Sequence, residues 1–213
     1  MMKRFMIIAL SWPMLLDVAL AQTPDVQTAM QYFDQAAAGD SKAVDVAIAQ
    51  FKALSENQPQ SPVYKVRLGS LITMQARDAW APWKKMSYTE RGLDLIDEAL
   101  EGLRPEHDSL PMGNIYVGLD VRYTAAVTFS SIPKFFNRWA QAERLLKAIT
   151  EQAEFAKTSN GFQAQVWLTR AQLAKQRERP DLYTQWLRKV VALAPESEAG
   201  KQASMLLAEG TGK

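Results

Sequence analysis

The residues best equipped for chemistry are Arg77-Asp78-Ala79-Trp80-Ala81-Pro82-Trp83-Lys84-Lys85, the densest mixture of aromatic and basic side chains in the sequence. Such a mixture suits recognition, because hot spots of binding favour Trp and Arg, which join a large apolar body to a polar or charged tip. A second run, Ile132-Pro133-Lys134-Phe135-Phe136-Asn137-Arg138-Trp139, repeats the recipe of proline, aromatics and bases. Arg67, Arg77 and Arg122 add guanidinium groups suited to gripping a carboxylate or an acidic segment. The candidate binding set is therefore Arg67, Arg77, Asp78, Trp80, Trp83, Lys84, Arg122, Tyr123, Arg138 and Trp139. Each charge has a plain reading as solvated surface. Trp80 and Trp83 have one as a cover folded over the end of a widened helix pair; three-residue spacing puts both on one helical face if the first helix runs to Ala81.

Catalytic chemistry has much less to work with. Cysteine is absent, which removes disulfides, thiolate nucleophiles and lipid-modified cysteine. The single histidine, His107, would have to serve any serine triad, yet it stands in a turn-like Pro-Glu-His-Asp run that reads as a solvated loop. One histidine and no cysteine also leave no zinc-type ligand set. No phosphate loop or nucleophile-base pair stands at usable spacing. The expectation is a protein without catalytic residues, metal or cofactor.

These side chains must be positioned by helices. With 213 residues, 47% apolar and 23% charged, the chain suits one globular domain with a real core. A net charge of +2 gives no global pull toward nucleic acid. Thr23-Pro24 reads as a helix start, followed by an apolar stripe at Val26, Ala29, Met30, Phe33 and Ala37. Gly39-Asp40-Ser41 breaks and restarts the chain before the stripe of Val44, Ala47, Ile48, Phe51 and Leu54, which Pro59 ends. Ser61-Pro62 opens a helix with Gly69 inside, a choice that costs about 1 kcal/mol and implies a neighbouring helix in close approach. Ser87-Tyr88-Thr89-Glu90 has the form of a capping box ahead of a helix ending at Pro105. Residues 105–113 form the longest loop. Further pairs span 115–131 with 135–155, and 162–177 with 182–194; Ser197 caps a last helix through Leu207. No strand is expected, and Tyr123 to Phe129, although rich in β-formers, fits a buried helix.

Residues 1–21 have the form of a cleavable signal peptide. Lys3 and Arg4 precede an apolar run from Phe5 to Leu16, and Ala19-Leu20-Ala21 offers a small-x-small cleavage site before Gln22. The run is short of the roughly 20 residues a bilayer span needs. The expectation is an exported, periplasmic chain with no integral membrane span after cleavage. Residues 22–208 then form one domain and 209–213 a frayed tail.

The helix pairs recur at a spacing with a precedent. Trp167, Ala171, Tyr183, Leu187, Val190 and Pro195 are separated by 4, 12, 4, 3 and 5 residues. Ala47, Phe51, Leu54 and Pro59 repeat the last three gaps, and Leu68-Gly69 falls where the next unit's Leu-Gly would stand. This resembles the tetratricopeptide repeat, with a period of about 34 residues. The resemblance covers most of residues 23–208, strongly in one unit, moderately in another and weakly in two. Counting from Gly69 and back from Pro105, the second unit carries 12 extra residues, which include the Trp-rich run. The resemblance implies an all-α fold of stacked antiparallel hairpins, a right-handed α-solenoid of about four pairs plus a C-terminal capping helix. It also implies a concave face, lined by each pair's first helix, that binds protein or peptide.

The leading functional expectation is thus a non-catalytic scaffold for a protein or peptide partner in the cell envelope, with no nucleic-acid role. The alternative is a binding protein for a small apolar or amphipathic molecule in a pocket of the stack, associated with a transporter as some exported repeat proteins are. In a stack the two Pro-aromatic-basic turns would lie side by side on one edge.

Overall fold

The protein is described by a computed structural model over residues 25–210. The expected signal peptide, the Thr23-Pro24 helix start and the last three residues lie outside the described residues. The described chain holds ten α-helices and one two-residue β-ribbon.

Local chemistry accounts for most helix starts. The Asp25 carboxylate accepts from the amides of Gln27 and Thr28 and caps α1 (Val26–Ala37). Asp40 does the same for α2 (Ser41–Asn57), after Gly39 has turned the chain at a φ of +110° that L side chains avoid. Pro62 and Pro82 occupy the first turns of α3 (Pro62–Asp78) and α4 (Pro82–Glu101). The third pair is α6 (Val117–Ser131) with α7 (Trp139–Glu151), and the fourth is α8 (Asn160–Gln176) with α9 (Pro180–Leu193). The Ser197 hydroxyl accepts from the Gly200 amide as α10 (Glu198–Gly210) begins, and that helix takes in residues 209 and 210 of the expected tail.

The second pair departs from expectation in an instructive way. Ser87-Tyr88-Thr89-Glu90 is not a helix start: α4 has already begun at Pro82, and the buried Thr89 hydroxyl donates to the Lys85 carbonyl inside the helix. Proline at the first helical position, with Lys84, Lys85 and Met86 behind it, favours helix five residues earlier than the box does. The extra residues lengthen the pair instead of widening its turn, which is only Ala79-Trp80-Ala81.

Inside that pair α3 and α4 approach through reciprocal glycines. A Cβ at Gly69 would stand 2.6 Å from the Gly92 carbonyl oxygen, and one at Gly92 would stand 2.5 Å from the Gly69 carbonyl oxygen. The close approach inferred from Gly69 is therefore present, with Gly92 as its partner.

Residues 105–113 also differ from expectation. They form α5 (Pro105–Ser109) and then β1 (Pro111–Met112), which pairs antiparallel with β2 (Ile115–Tyr116) around Gly113 at φ +62°. His107 is 6% exposed and not a solvated loop residue, and its Nδ1 accepts from the Arg104 amide at 3.0 Å. The proline at 105 starts a helical turn that carries the ring inward.

Consecutive helices pack in pairs, and the first helices also touch in succession: α1 on α3, α3 on α6, α6 on α8, and α8 on α10. Three apolar clusters follow this order. Phe51 centres the first, Phe129, Leu146 and Ile149 the second, and Leu187 with Val190 the third. The architecture is all-α, built of packed adjacent helix pairs.

Candidate functional site

Each helix pair has one short internal turn, and these turns line one edge. Three clefts lie between the successive turns: one joins Ser41 and Asp45 to Trp80 and Lys84, the next joins the α3–α4 turn to Pro133–Phe136, and the last joins Lys134 and Trp139 to Arg177 and Glu178. The middle cleft is an open groove of about 470 Å³. Its lining is mostly apolar: Ala76, Pro82, Met86, Ile132, Pro133, Phe135 and Phe136, with Thr73, Arg77, Lys85, Thr89 and Ser131.

The rim is aromatic and cationic. Trp80 is 81% exposed, Trp83 67% and Phe135 70%. Helix α3 stops at Asp78, so Trp80 sits in the turn and Trp83 in the first turn of α4, not together on one helix face. Their rings meet edge to face at 5.8 Å, and neither folds back over the helix pair. Phe135 and Phe136 lie in a one-turn 3-10 helix (Lys134–Phe136) closed by Asn137 at φ +58°. The Phe135 and Phe136 rings lie against each other at 4.5 Å, with Phe135 on the outside and Phe136 packed against the core.

Charge at the rim is uneven. The Arg77 guanidinium holds Asp78 through Nε and Nη2 at 3.0 and 3.2 Å, and keeps that carboxyl below the usual carboxylate range. A further Arg77 nitrogen reaches the Ala36 carbonyl, tying this turn to the end of α1. Lys84, Lys85 and Lys134 form no ion pair among the described residues. Lys85 acts only at longer range, helping to lower Asp78.

The other expected site residues are spent on packing. Arg67 is 3% exposed and forms a bidentate pair with the Asp120 carboxylate at 2.6 and 2.7 Å, its guanidinium 5.5 Å from the Phe33 ring centre. Arg122 pairs with Asp108. No open basic groove of Arg67, Arg77 and Arg122 therefore exists, because two of the three already hold internal carboxylates. Tyr123 packs edge-on against Phe162, its hydroxyl 3.3 Å from that of Thr169, and burial pushes the phenol's pKa upward. Arg138 grips Asp97 and lies over the Phe129 ring, while the Trp139 indole donates to the Ile132 carbonyl at 3.0 Å. Trp139 faces the third cleft, not the middle one.

The structure thus gathers Arg77, Asp78, Trp80, Trp83 and Lys84 at one turn, and sends Arg67, Arg122, Tyr123, Arg138 and Trp139 elsewhere. Met86, Phe135 and Lys134 belong to the same edge. Met86 follows Trp83 by three residues on α4, and Phe135-Phe136 after a proline was the signal for the second turn.

A second cation–aromatic cluster joins α7, α8 and α9. The Arg170 guanidinium lies between the Trp167 and Trp186 rings, 4.8 and 4.5 Å from their centres, and Lys189 covers Trp167 at 3.6 Å. Burial lowers the pKa of both cations. Glu143 on α7 accepts from Arg177 and Arg179 beside them. These contacts lock helices together around a closed centre. Among the described residues no group of three or more His, Cys, Asp or Glu could hold a metal ion, and no helix is long and apolar enough to cross a membrane.

Compared with protein-family models, curated proteins and solved structures, the chain has no significant match. The class is set by the fold alone, an all-α protein of packed helix pairs.

Proposed function

We propose that the chain is a non-catalytic scaffold that captures a partner protein through a short segment laid in the middle groove. The observation that carries this reading is the groove itself: about 470 Å³ of mostly apolar lining between two turns, with Lys85 in its wall. Its occupant is an apolar side chain or two, flanked by aspartate or glutamate that meets Lys85. The right-handed, tetratricopeptide-like superhelix belongs to the same reading; the succession of first-helix contacts and the repeat spacing support it. So does export to the periplasm with cleavage after Ala21, for which N-terminal analysis of the periplasmic protein should give Gln22 and a retained Met1 would count against it.

The test of capture is selection from a random peptide display library on the whole chain, with the enriched peptides then assayed for binding to Ala76→Phe. Ala76 lines the groove, so a phenyl ring there fills it. Enriched peptides should carry a large apolar residue beside acidic ones and lose binding to the variant. Peptides that bind parent and variant equally would overturn the reading.

A second reading uses the same volume. A groove of this size falls within the range of small-molecule sites, so a small apolar or amphipathic ligand fits as well. Native mass spectrometry of protein from the cell envelope should then show a bound mass that Ala76→Phe removes.

A further inference from the structure

We infer that the rim of this edge seats the chain on the surface of an anionic phospholipid bilayer. This goes beyond partner capture, which uses the groove between the turns: Phe135, Met86 and Lys85 border both surfaces, whereas Trp80, Trp83 and Lys84 stand outside the groove.

Trp80, Trp83 and Phe135 are the exposed Trp and Phe side chains of the described residues, and all three stand at this one edge, with Met86 beside them. Elsewhere the exposed large hydrophobics are scattered singly at Val26, Val46, Leu110 and Met205. Such concentration in a chain whose other aromatics are packed marks a surface that spends time away from water. Indole rings favour the headgroup level of a bilayer, where the apolar body is shielded and the N–H stays wet.

The charge at the edge fits the same partner. Lys84 follows Trp83 directly, Lys85 lines the groove, and Lys134 precedes Phe135. Lysine on a long stem can keep its ammonium at the phosphate level while an adjacent ring enters the interface. Asp78, the carboxylate of this turn, is already held by Arg77 and leaves Lys84 and Lys85 uncompensated within it, while Asp45 shares the cleft of Lys84 and Glu178 that of Lys134. The rings stand on two separate turns with a groove between them, and a deformable lipid surface can follow such a broken contour. No helix of the described residues is long and apolar enough to cross a membrane, and rings at the headgroup level need none.

The test is co-flotation of the full chain with vesicles of phosphatidylcholine alone or mixed with phosphatidylglycerol. Residues 1–24 are common to every sample, so differences between variants report the edge. Binding should require phosphatidylglycerol and weaken with salt. Trp80→Ser with Trp83→Ser should reduce partitioning at least about tenfold. Lys84→Gln and Lys134→Gln should each weaken it roughly fivefold, and this pair decides the matter if the tryptophan variant loses its helical melt. Ala76→Phe should keep full vesicle binding, since it fills the groove and spares the rim. Equal flotation of parent and rim variants would overturn the membrane seat while leaving peptide capture intact. Vesicle binding that vanishes with Ala76→Phe alone would overturn the separation of rim from groove.

Discussion

At the scale of single residues, Arg67 best shows how a side chain that looks available can be committed. Its guanidinium is buried, joined to Asp120 by two short hydrogen bonds, and backed by Phe33. A buried pair broken on one side leaves an uncompensated charge, a loss of roughly 3–5 kcal/mol. Arg67→Ala should therefore lower the urea midpoint severely. Arg67→Met with Asp120→Leu should recover most of the loss, because apolar residues of similar volume often replace such a pair without penalty. A mild effect of the single substitution would mean that the site is wetter than its packing indicates. Nothing in the sequence distinguishes Arg67 from a solvated arginine, because its partner lies 53 residues away on α6. The same holds for Arg122 and Arg138, each neutralised by an aspartate on another element. By contrast, Trp80 and Trp83 could be read from the sequence either as an exposed anchor or as a cover folded over the helix pair, and their exposure in the folded chain favours the first.

At the scale of elements, the α3–α4 pair carries two tests. Ser87 sits exposed inside α4, five residues past the start at Pro82. Ser87→Ala should be neutral or stabilise by about 0.5 kcal/mol, following helix propensity. The loss of about 1 kcal/mol that removal of a true N-cap brings would place the helix start at Ser87 after all. Gly69→Ala runs the other way. Alanine is the better helix former by about 1 kcal/mol, yet its methyl would meet the Gly92 carbonyl at 2.6 Å and force the helices apart. A net loss of about 1–3 kcal/mol in chemical denaturation is expected, and a gain in stability would show the approach to be looser. Helix identity and pairing were readable because apolar stripes and Pro, Gly and Asp punctuation act locally. The capping box misled because two start signals competed within five residues, and proline's fixed φ prevailed. The α5 turn and its ribbon were missed for a different reason. His107 accepts from the Arg104 amide as the third helical residue of α5, a capping role that falls to Glu or Gln in the usual pattern, and Asp108 meets the Arg122 guanidinium on α6, which no local pattern encodes.

At the scale of the whole molecule, the helix pairs meet at two polar seams that should respond differently to acid. The first joins α3 to α6 through Arg67–Asp120 and the Thr128–Ser70 hydroxyl pair. The second joins α7 and α6 to α8 through Glu143 with Arg177 and Arg179, Thr150 with Arg170, and Tyr123 with Thr169. Hydrogen bonding to Arg179, reinforced by the charges of Arg179, Arg177 and Arg170, holds the Glu143 carboxyl below the usual glutamate range despite partial burial. A depressed folded-state pKa contributes stability that is fully present above the unfolded value, about 4.3, and fades as pH falls through the folded one. Protonating Glu143 would also leave Arg170, Arg177 and Arg179 facing one another without their shared anion. Below about pH 4 the α8–α10 segment should therefore lose amide-exchange protection. Glu143→Gln should reproduce that loss at neutral pH, with little further change on acidification of the same segment. Hydrogen exchange across the pH range, read helix by helix, checks both statements. Uniform acid loss over α1 to α10, or a variant that keeps the parent's acid response in α8–α10, would assign the sensitivity to some other carboxylate. Because the groove lies between the α3–α4 and α6–α7 turns, on the N-terminal side of this seam, its geometry should outlast the loosening. Helices α3, α4 and α6, which carry the groove, should then keep their amide-exchange protection at a pH where α8–α10 already exchanges freely.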